Sequence, residues 1–194
     1  MNVHHVPVMV EQVLAALKPG SLGAYIDCTV GEGGHAESIL AVAPQESRVL
    51  GVDLDSCALY AARGRLKSFA NRISFFHGNF ANLDQIATQA GFEPADGVLF
   101  DLGMSSMQLQ SADRGFSFSR AGRLDMRFDL RQSLSALQLV NGLPERELAD
   151  MLYRFGEERF SRKIARAIVG ARPFQTTVQL ASVVGGMMKV SRGG

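Results

Sequence analysis

The chain predicts an α/β fold with a parallel, doubly wound, Rossmann-like sheet in its first half and a helical module after it. Three observations lead there. Four short apolar runs, 24–28, 48–53, 73–77 and 97–101, alternate with stretches carrying Ala and Leu at helical spacing, the pattern of βαβ units. The run Ala24-Tyr25-Ile26-Asp27 leads into the glycine-rich Gly31-Glu32-Gly33-Gly34, the form of a strand turning into a helix. Beyond Asp101 the texture changes, with a Ser-, Gly-, Arg- and Asp-rich stretch over 104–131 followed only by helical patterns.

In chain order, Val10, Val13, Leu14 and Leu17 fall at i, i+3, i+4 and i+7, an amphipathic helix opened after Pro7 and closed by Pro19-Gly20. Helices are expected over 36–43, 57–69 and 83–90 between the strands, then over 134–141, 145–155, 159–171 and 177–188. Four strands followed by helices make an unfinished sheet, so either the helices are an insertion or the chain stops before the sheet closes. The ending Ser191-Arg192-Gly193-Gly194 reads as a chain interrupted in a loop.

With 194 residues, 46% hydrophobic and 20% charged, the chain can bury a substantial core and is neither disordered nor fibrous. Two cysteines, Cys28 and Cys57, are too few to staple a secreted domain, which points to a reducing compartment. The first apolar run, broken by Pro7 and stopped by Glu11, is too short for a signal peptide or a membrane span. Net charge is +1, but residues 1–100 hold 6 basic and 10 acidic groups (net −4), and residues 101–194 hold 14 basic and 9 acidic (net +5). The basic half therefore suits a polyanion.

The glycine turn suits close approach of a ligand to the backbone. Gly31, Gly33 and Ala36 fit G-x-G-x-x-G/A, with Asp53 after the next strand positioned to bind ribose hydroxyls. A dinucleotide stays open on that fit. Glu32 and Asp27, however, repel a pyrophosphate and tolerate a ligand with sulfonium and ammonium groups, so the carboxylates of Asp27, Glu32 and Asp53 favour S-adenosylmethionine. The plain alternative is a tight turn with Asp53 as a helix N-terminal acid near Ser56. Phe80, after the third strand, is a candidate wall for an adenine or a core residue, and Asp101 is a ligand-binding or loop-capping carboxylate at the fourth strand end. The four histidines lack metal-ligand spacing, and neither G-x-S-x-G nor G-K-[ST] occurs, so metal, hydrolase and NTPase chemistry find no support.

Arg159, Arg162 and Arg166, with Lys163, share one helical face opposite Phe160, Ile164 and Ile168. Arg114, Arg120, Arg123, Arg127 and Arg131 interleave with Phe116, Phe118 and Phe128, a composition suited to stacking unpaired bases. Either set can instead be an ordinary solvated face.

Several blocks together carry a resemblance: His5-Val6-Pro7-Val8-Met9, the stretch 27–35, Asp96-Gly97-Val98-Leu99-Phe100-Asp101-Leu102-Gly103, Ser105-Ser106 with Gln108-Leu109, Arg114-Gly115-Phe116-Ser117-Phe118, Leu124-Asp125-Met126-Arg127, and Gly156-Glu157-Glu158-Arg159-Phe160 with Ile164-Ala165-Arg166. In this order the chain resembles the ribosomal RNA small subunit methyltransferase H family. The resemblance implies a class I methyltransferase sheet, here incomplete, and transfer of a methyl group from S-adenosylmethionine to the N4 amine of a cytosine in small-subunit rRNA. Cofactor contacts implied by it fall on Gly33, Gly34, His35, Asp53, Phe80, Asp101 and Gln108, and Asp101 is also the candidate for accepting an amine proton. Met107 departs from a proline usual in bacterial members and is shared with mitochondrial relatives. The implied organisation is a cofactor-binding domain over 1–109 and a helical substrate-recognition module over 110–194. The family continues past Gly194, so a fragment is expected, one that does not methylate RNA efficiently by itself. Expected partners are small-subunit rRNA or a 30S-type ribosomal particle and no membrane, with a homodimer left open. The expected compartment is the cytoplasm, or alternatively the mitochondrial matrix. A dinucleotide-dependent oxidoreductase and a non-enzymatic RNA-binding or ribosome-assembly protein stand as rival readings.

Overall fold

The structure is a computed structural model and describes residues 7–191, so His5 and Val6 of the first block and the closing Arg192-Gly193-Gly194 lie outside the described residues. The chain divides into two compact units, one up to Gly103 and one from Met104.

In the first unit, strands β1 (Ala24–Asp27), β2 (Arg48–Asp53), β3 (Ile73–His77) and β4 (Gly97–Leu99) form one parallel sheet in the order β3-β2-β1-β4. Helices α1 (Val10–Leu17), α2 (Gly34–Val42), α3 (Ser56–Arg65) and α4 (Leu83–Ala90) complete the α/β alternation expected from the sequence. Side chains along a strand alternate faces, and here both faces are covered. Tyr25 and Val49 pack with Ala36, Ile39, Leu40, Leu59, Ala62 and Leu66 on one side, with Leu14 and Leu17 of α1 against them. Ile26, Leu50 and Val52 pack with Ile86, Ala87 and Phe92 on the other.

β1 and β4 each stop one or two residues before their expected ends. Cys28 N–H still bonds to Leu99 O at 2.9 Å, but Asp101 N–H turns away to the Thr29 hydroxyl at 2.7 Å, so the chain after Leu99 leaves the ladder. Arg72 ties the same unit together from its edge, donating to the carbonyls of Leu40, Ala43, Pro44 and Ser47.

In the second unit, α5 (Ser106–Gln110) precedes α6 (Ala136–Gly142), α7 (Glu145–Gly156), α8 (Ser161–Gly170) and α9 (Thr177–Ser191). Apart from a single bridge between Arg123 and Thr176, the described residues after Gly103 form no strand. The core of this unit comes from the stripes Leu148-Ala149 and Ile164-Ala165-Ile168, closed by Leu124, Val140 and Phe174. α8 begins two residues later than its apolar pattern predicts because the Glu158 carboxylate accepts Phe160 N–H at 2.7 Å and holds 158–160 in a turn.

Candidate functional site

The carboxyl ends of β1, β2 and β4 bring together three acids around the glycine turn. Between β1 and α2 the chain must reverse within six residues, and it does so with Gly31 at φ +51° and Gly33 at φ +86°, a region L side chains disfavour. Asp53, at the end of β2, holds this turn: Oδ2 accepts Gly31 N–H at 2.9 Å, while Oδ1 accepts Asp55 N–H at 2.9 Å. The cap of α3 is not Asp53 but Asp55, whose carboxylate accepts Cys57 N–H at 2.9 Å. The plain alternative for Asp53, a helix N-terminal acid, is therefore taken by its neighbour, and Asp53 faces the turn.

Asp27 is buried at the end of β1. Its Oδ1 accepts Thr29 N–H at 3.1 Å, whereas Oδ2 has no hydrogen-bond partner. Burial, helped by the negative charges of Asp53 and Asp101, pushes its carboxyl up to about 7, against the stabilising Thr29 N–H. Burial raises Asp53 as well, with the Asp55 and Gly31 amides opposing it. His35, in the first turn of α2, is buried with Nδ1 unpartnered; its Nε2 lies 3.6 Å from Asp101 Oδ2, beyond hydrogen-bond length. Burial lowers its basicity and the Asp101 charge counteracts this. Orphaned buried polar atoms are rare in folded proteins and call for a ligand or water. An acidic cradle with one free carboxylate oxygen fits a cationic group and disfavours a phosphate.

Phe80 opens a short 3-10 turn after β3 and meets Phe100 edge-on, with centroids 5.5 Å apart. Phe100 was not singled out from sequence; its position beside Asp101 at a strand end was the available signal. Thr29, whose hydroxyl anchors Asp101, was likewise not singled out.

The glycines separate by role. A Cβ on Gly33 would lie 2.8 Å from Leu66 Cδ1, and one on Gly34 would lie 2.9 Å from Pro7 Cγ, so internal packing already demands glycine at both. Gly31 alone of the three opens onto free space, its nearest neighbour being Thr29 O at 3.8 Å. Close approach of a ligand, expected for the whole turn, is needed to explain none of them.

Gln108 belongs to the second unit, where it closes a capping box on α5: Ser105 N–H donates to Gln108 Oε1 at 3.0 Å and Gln108 N–H to Ser105 Oγ at 3.2 Å. The arginine cluster over 114–131 is largely committed to its own loop. Arg114 donates to the carbonyls of Arg127 and Phe128, Arg127 makes a bidentate pair with Asp125, and Arg131 does the same with Asp129. Phe116 and Phe128 pack on each other at 4.9 Å. Those three guanidinium groups and two rings have partners within their own loop, although Arg131 stays exposed, as do Arg120, Arg123 and Phe118.

Among the described residues no helix is long and apolar enough to cross a membrane, and no cluster of three metal-ligating side chains occurs. Among solved structures, an rRNA methylase from Streptococcus thermophilus matches with a TM-score of 0.41 and 20% identity, over 52% of this chain and 57% of that one. The ribosomal RNA small subunit methyltransferase H of Dehalococcoides mccartyi is 45% identical over 180 residues, 93% of this chain and 52% of the relative. Proteins of the same name from Syntrophobacter fumaroxidans and Cyanothece sp. are 44% and 49% identical, over 98% and 93% of this chain and 60% and 59% of their own lengths. This chain thus spans between half and two thirds of the length of these relatives. The model of the MraW methylase family matches residues 2–192, a span that takes in both units, and the chain belongs to that family.

Proposed function

We propose that the first unit binds S-adenosylmethionine and that the protein methylates the N4 amine of a cytosine in small-subunit rRNA. The observation that carries this reading is the cradle of Asp27, Asp53 and Asp101, with the free Asp27 Oδ2 at its floor. The names of the relatives support the rRNA substrate.

In this reading Asp53 binds the ribose hydroxyls, Asp27 faces the cationic end of the cofactor, Gly33, Gly34 and His35 form the turn beside it, and Phe80 packs against the adenine. When bound, S-adenosylmethionine supplies the methyl group. The cytosine amine is a weak nucleophile because its lone pair is conjugated into the ring, so the main task of the protein is to hold that nitrogen in line. Asp101 accepts an amine proton as the nitrogen rehybridises; a strong base is unnecessary because the proton becomes acidic once the methyl arrives. The division of labour is cofactor binding over 1–109 and substrate recognition over 110–194, with a 30S-type particle as the natural substrate, in the cytoplasm of a bacterium, as a monomer or a homodimer.

Calorimetric titration of the chain with S-adenosylmethionine and with NAD tests the cofactor. Binding of the first and not the second is expected, and the reverse overturns the assignment to the methyl donor. Nucleoside analysis of small-subunit RNA after incubation with the protein and S-adenosylmethionine tests the target: a methylated nucleoside other than N4-methylcytidine refutes it.

A further inference from the structure

The hairpin formed by α7 and α8 presents a surface that its own core does not use. Both helices turn Leu148, Ala149, Ile164, Ala165 and Ile168 inward, which leaves the residues around the connecting turn outside. Three aromatic rings stand there in solvent: Tyr153 at 63%, Phe155 at 86% and Phe160 at 41% exposure. A Phe in water forfeits the burial that normally accounts for its presence, and three within eight residues form a patch that calls for a partner. Arg154, Arg159, Arg162 and Lys163 are exposed beside them, with the Lys163 ammonium 5.8 Å from the centre of the Phe160 ring. Against these four cations the tip has two acids, Glu157 and Glu158, and the Glu158 carboxylate is turned to the Phe160 amide. The turn carries that bond and places Glu157 in the left-handed region at φ 50°.

Rings interleaved with cations match one partner chemistry closely. Aromatic faces stack on bases, cations neutralise phosphates, and in a regular RNA helix the bases are already stacked, so unpaired nucleotides are the form that can use both. We propose that the α7–α8 hairpin tip is the docking surface for unpaired RNA, with Tyr153 and Phe155 stacking on bases and Arg159, Arg162 and Lys163 meeting phosphates. This rests on the reading of the protein as an rRNA methyltransferase. It also moves RNA contact away from the 114–131 loop, three of whose five arginines have partners inside the loop, to a hairpin whose outer face carries one ion pair among the described residues, Arg166 with Glu145 at 3.3 Å.

Two variants of the chain test it, Tyr153→Ala/Phe155→Ala and Arg159→Gln/Arg162→Gln/Lys163→Gln, with a labelled single-stranded RNA, a duplex of the same sequence, isolated small ribosomal subunits and S-adenosylmethionine as probes. The ring variant is expected to bind single-stranded RNA at least about fivefold more weakly per ring lost, with an unchanged salt slope. Tyr153→Trp/Phe155→Trp keeps parent-like binding. The cation variant flattens the slope of log affinity against log salt by about 2, from roughly 0.7 for each phosphate contact. Both melt as the parent chain does and bind S-adenosylmethionine equally. Unchanged affinity and slope in both variants overturn the proposal, as does duplex RNA binding as well as the single strand. Weakened binding to small subunits with naked RNA unaffected assigns the hairpin to a protein partner and overturns it too. If the parent chain binds RNA through this hairpin but not S-adenosylmethionine, it is the methyltransferase reading that falls.

Discussion

Replacing Asp27 by Asn should make the protein more stable, by a margin that grows from about pH 4 up to about pH 7. The carboxyl is buried, accepts one backbone N–H, and faces two further acids, so its ionised form is costly and its acid constant moves from 3.8 to about 7. Well below pH 3.8 the group is protonated in folded and unfolded chains alike and nothing is lost. Between about pH 4 and pH 7 the unfolded chain releases the proton while the folded chain keeps it, so stability falls by about 1.4 kcal/mol per pH unit. Above about pH 7 the loss levels off, at about 4 kcal/mol. Asn keeps the volume and the oxygen that accepts Thr29 N–H but cannot ionise. Urea unfolding of parent and Asp27→Asn from about pH 3 upward should give a pH-independent difference near pH 3 and a gap that widens by about 4 kcal/mol by pH 8. All groups other than Asp27 and its acidic neighbours cancel in the comparison. A gap that does not change with pH would refute the assignment of a buried, ionising Asp27.

Asp53→Ala removes the acceptor for the Gly31 and Asp55 amides and should cost about 1–3 kcal/mol of stability and at least about tenfold in S-adenosylmethionine affinity, read by thermal melts and calorimetry; parent-like affinity would sink its assignment to the ribose. Gly33→Ala combines φ +86° with a collision against Leu66 and should destabilise by about 2–3 kcal/mol, whereas Gly31→Ala meets only the backbone penalty of about 1 kcal/mol; melts showing the opposite order would contradict the packing. Arg72→Met abandons four carbonyls and should cost about 2–4 kcal/mol, with a parent-like denaturation midpoint as the contrary result.

The sheet was legible because buried parallel strands are short, nearly continuous apolar runs, and the three site acids because each follows such a run. α5 was not anticipated: five residues hold no apolar period, although the Ser105-x-x-Gln108 spacing of a capping box was there to be read. What placed Asp55 rather than Asp53 on the α3 cap, or Leu66 and Pro7 behind the glycines, is tertiary and leaves no local mark. The arginines divide similarly. The pairs Asp125–Arg127 and Asp129–Arg131 follow a visible two-residue spacing, but the carbonyls that occupy Arg114 come from residues 127 and 128 and depend on how the loop folds back.

The strand order also sets a timetable for synthesis. β1 pairs with β2 once a further twenty-odd residues have been made, but its other neighbour, β4, faces it through Tyr25↔Gly97, and 72 residues separate those two positions. At 5–20 residues per second the ribosome takes about 4–14 s to cross that interval. During it the chain emerges with the edge of β1 bare, and the Thr29 hydroxyl that later receives Asp101 still exposed to water. The edge of β1 that pairs with β4 is therefore the last in the sheet to find its neighbour as the chain is made, and an unpaired strand edge is a template for pairing with other chains.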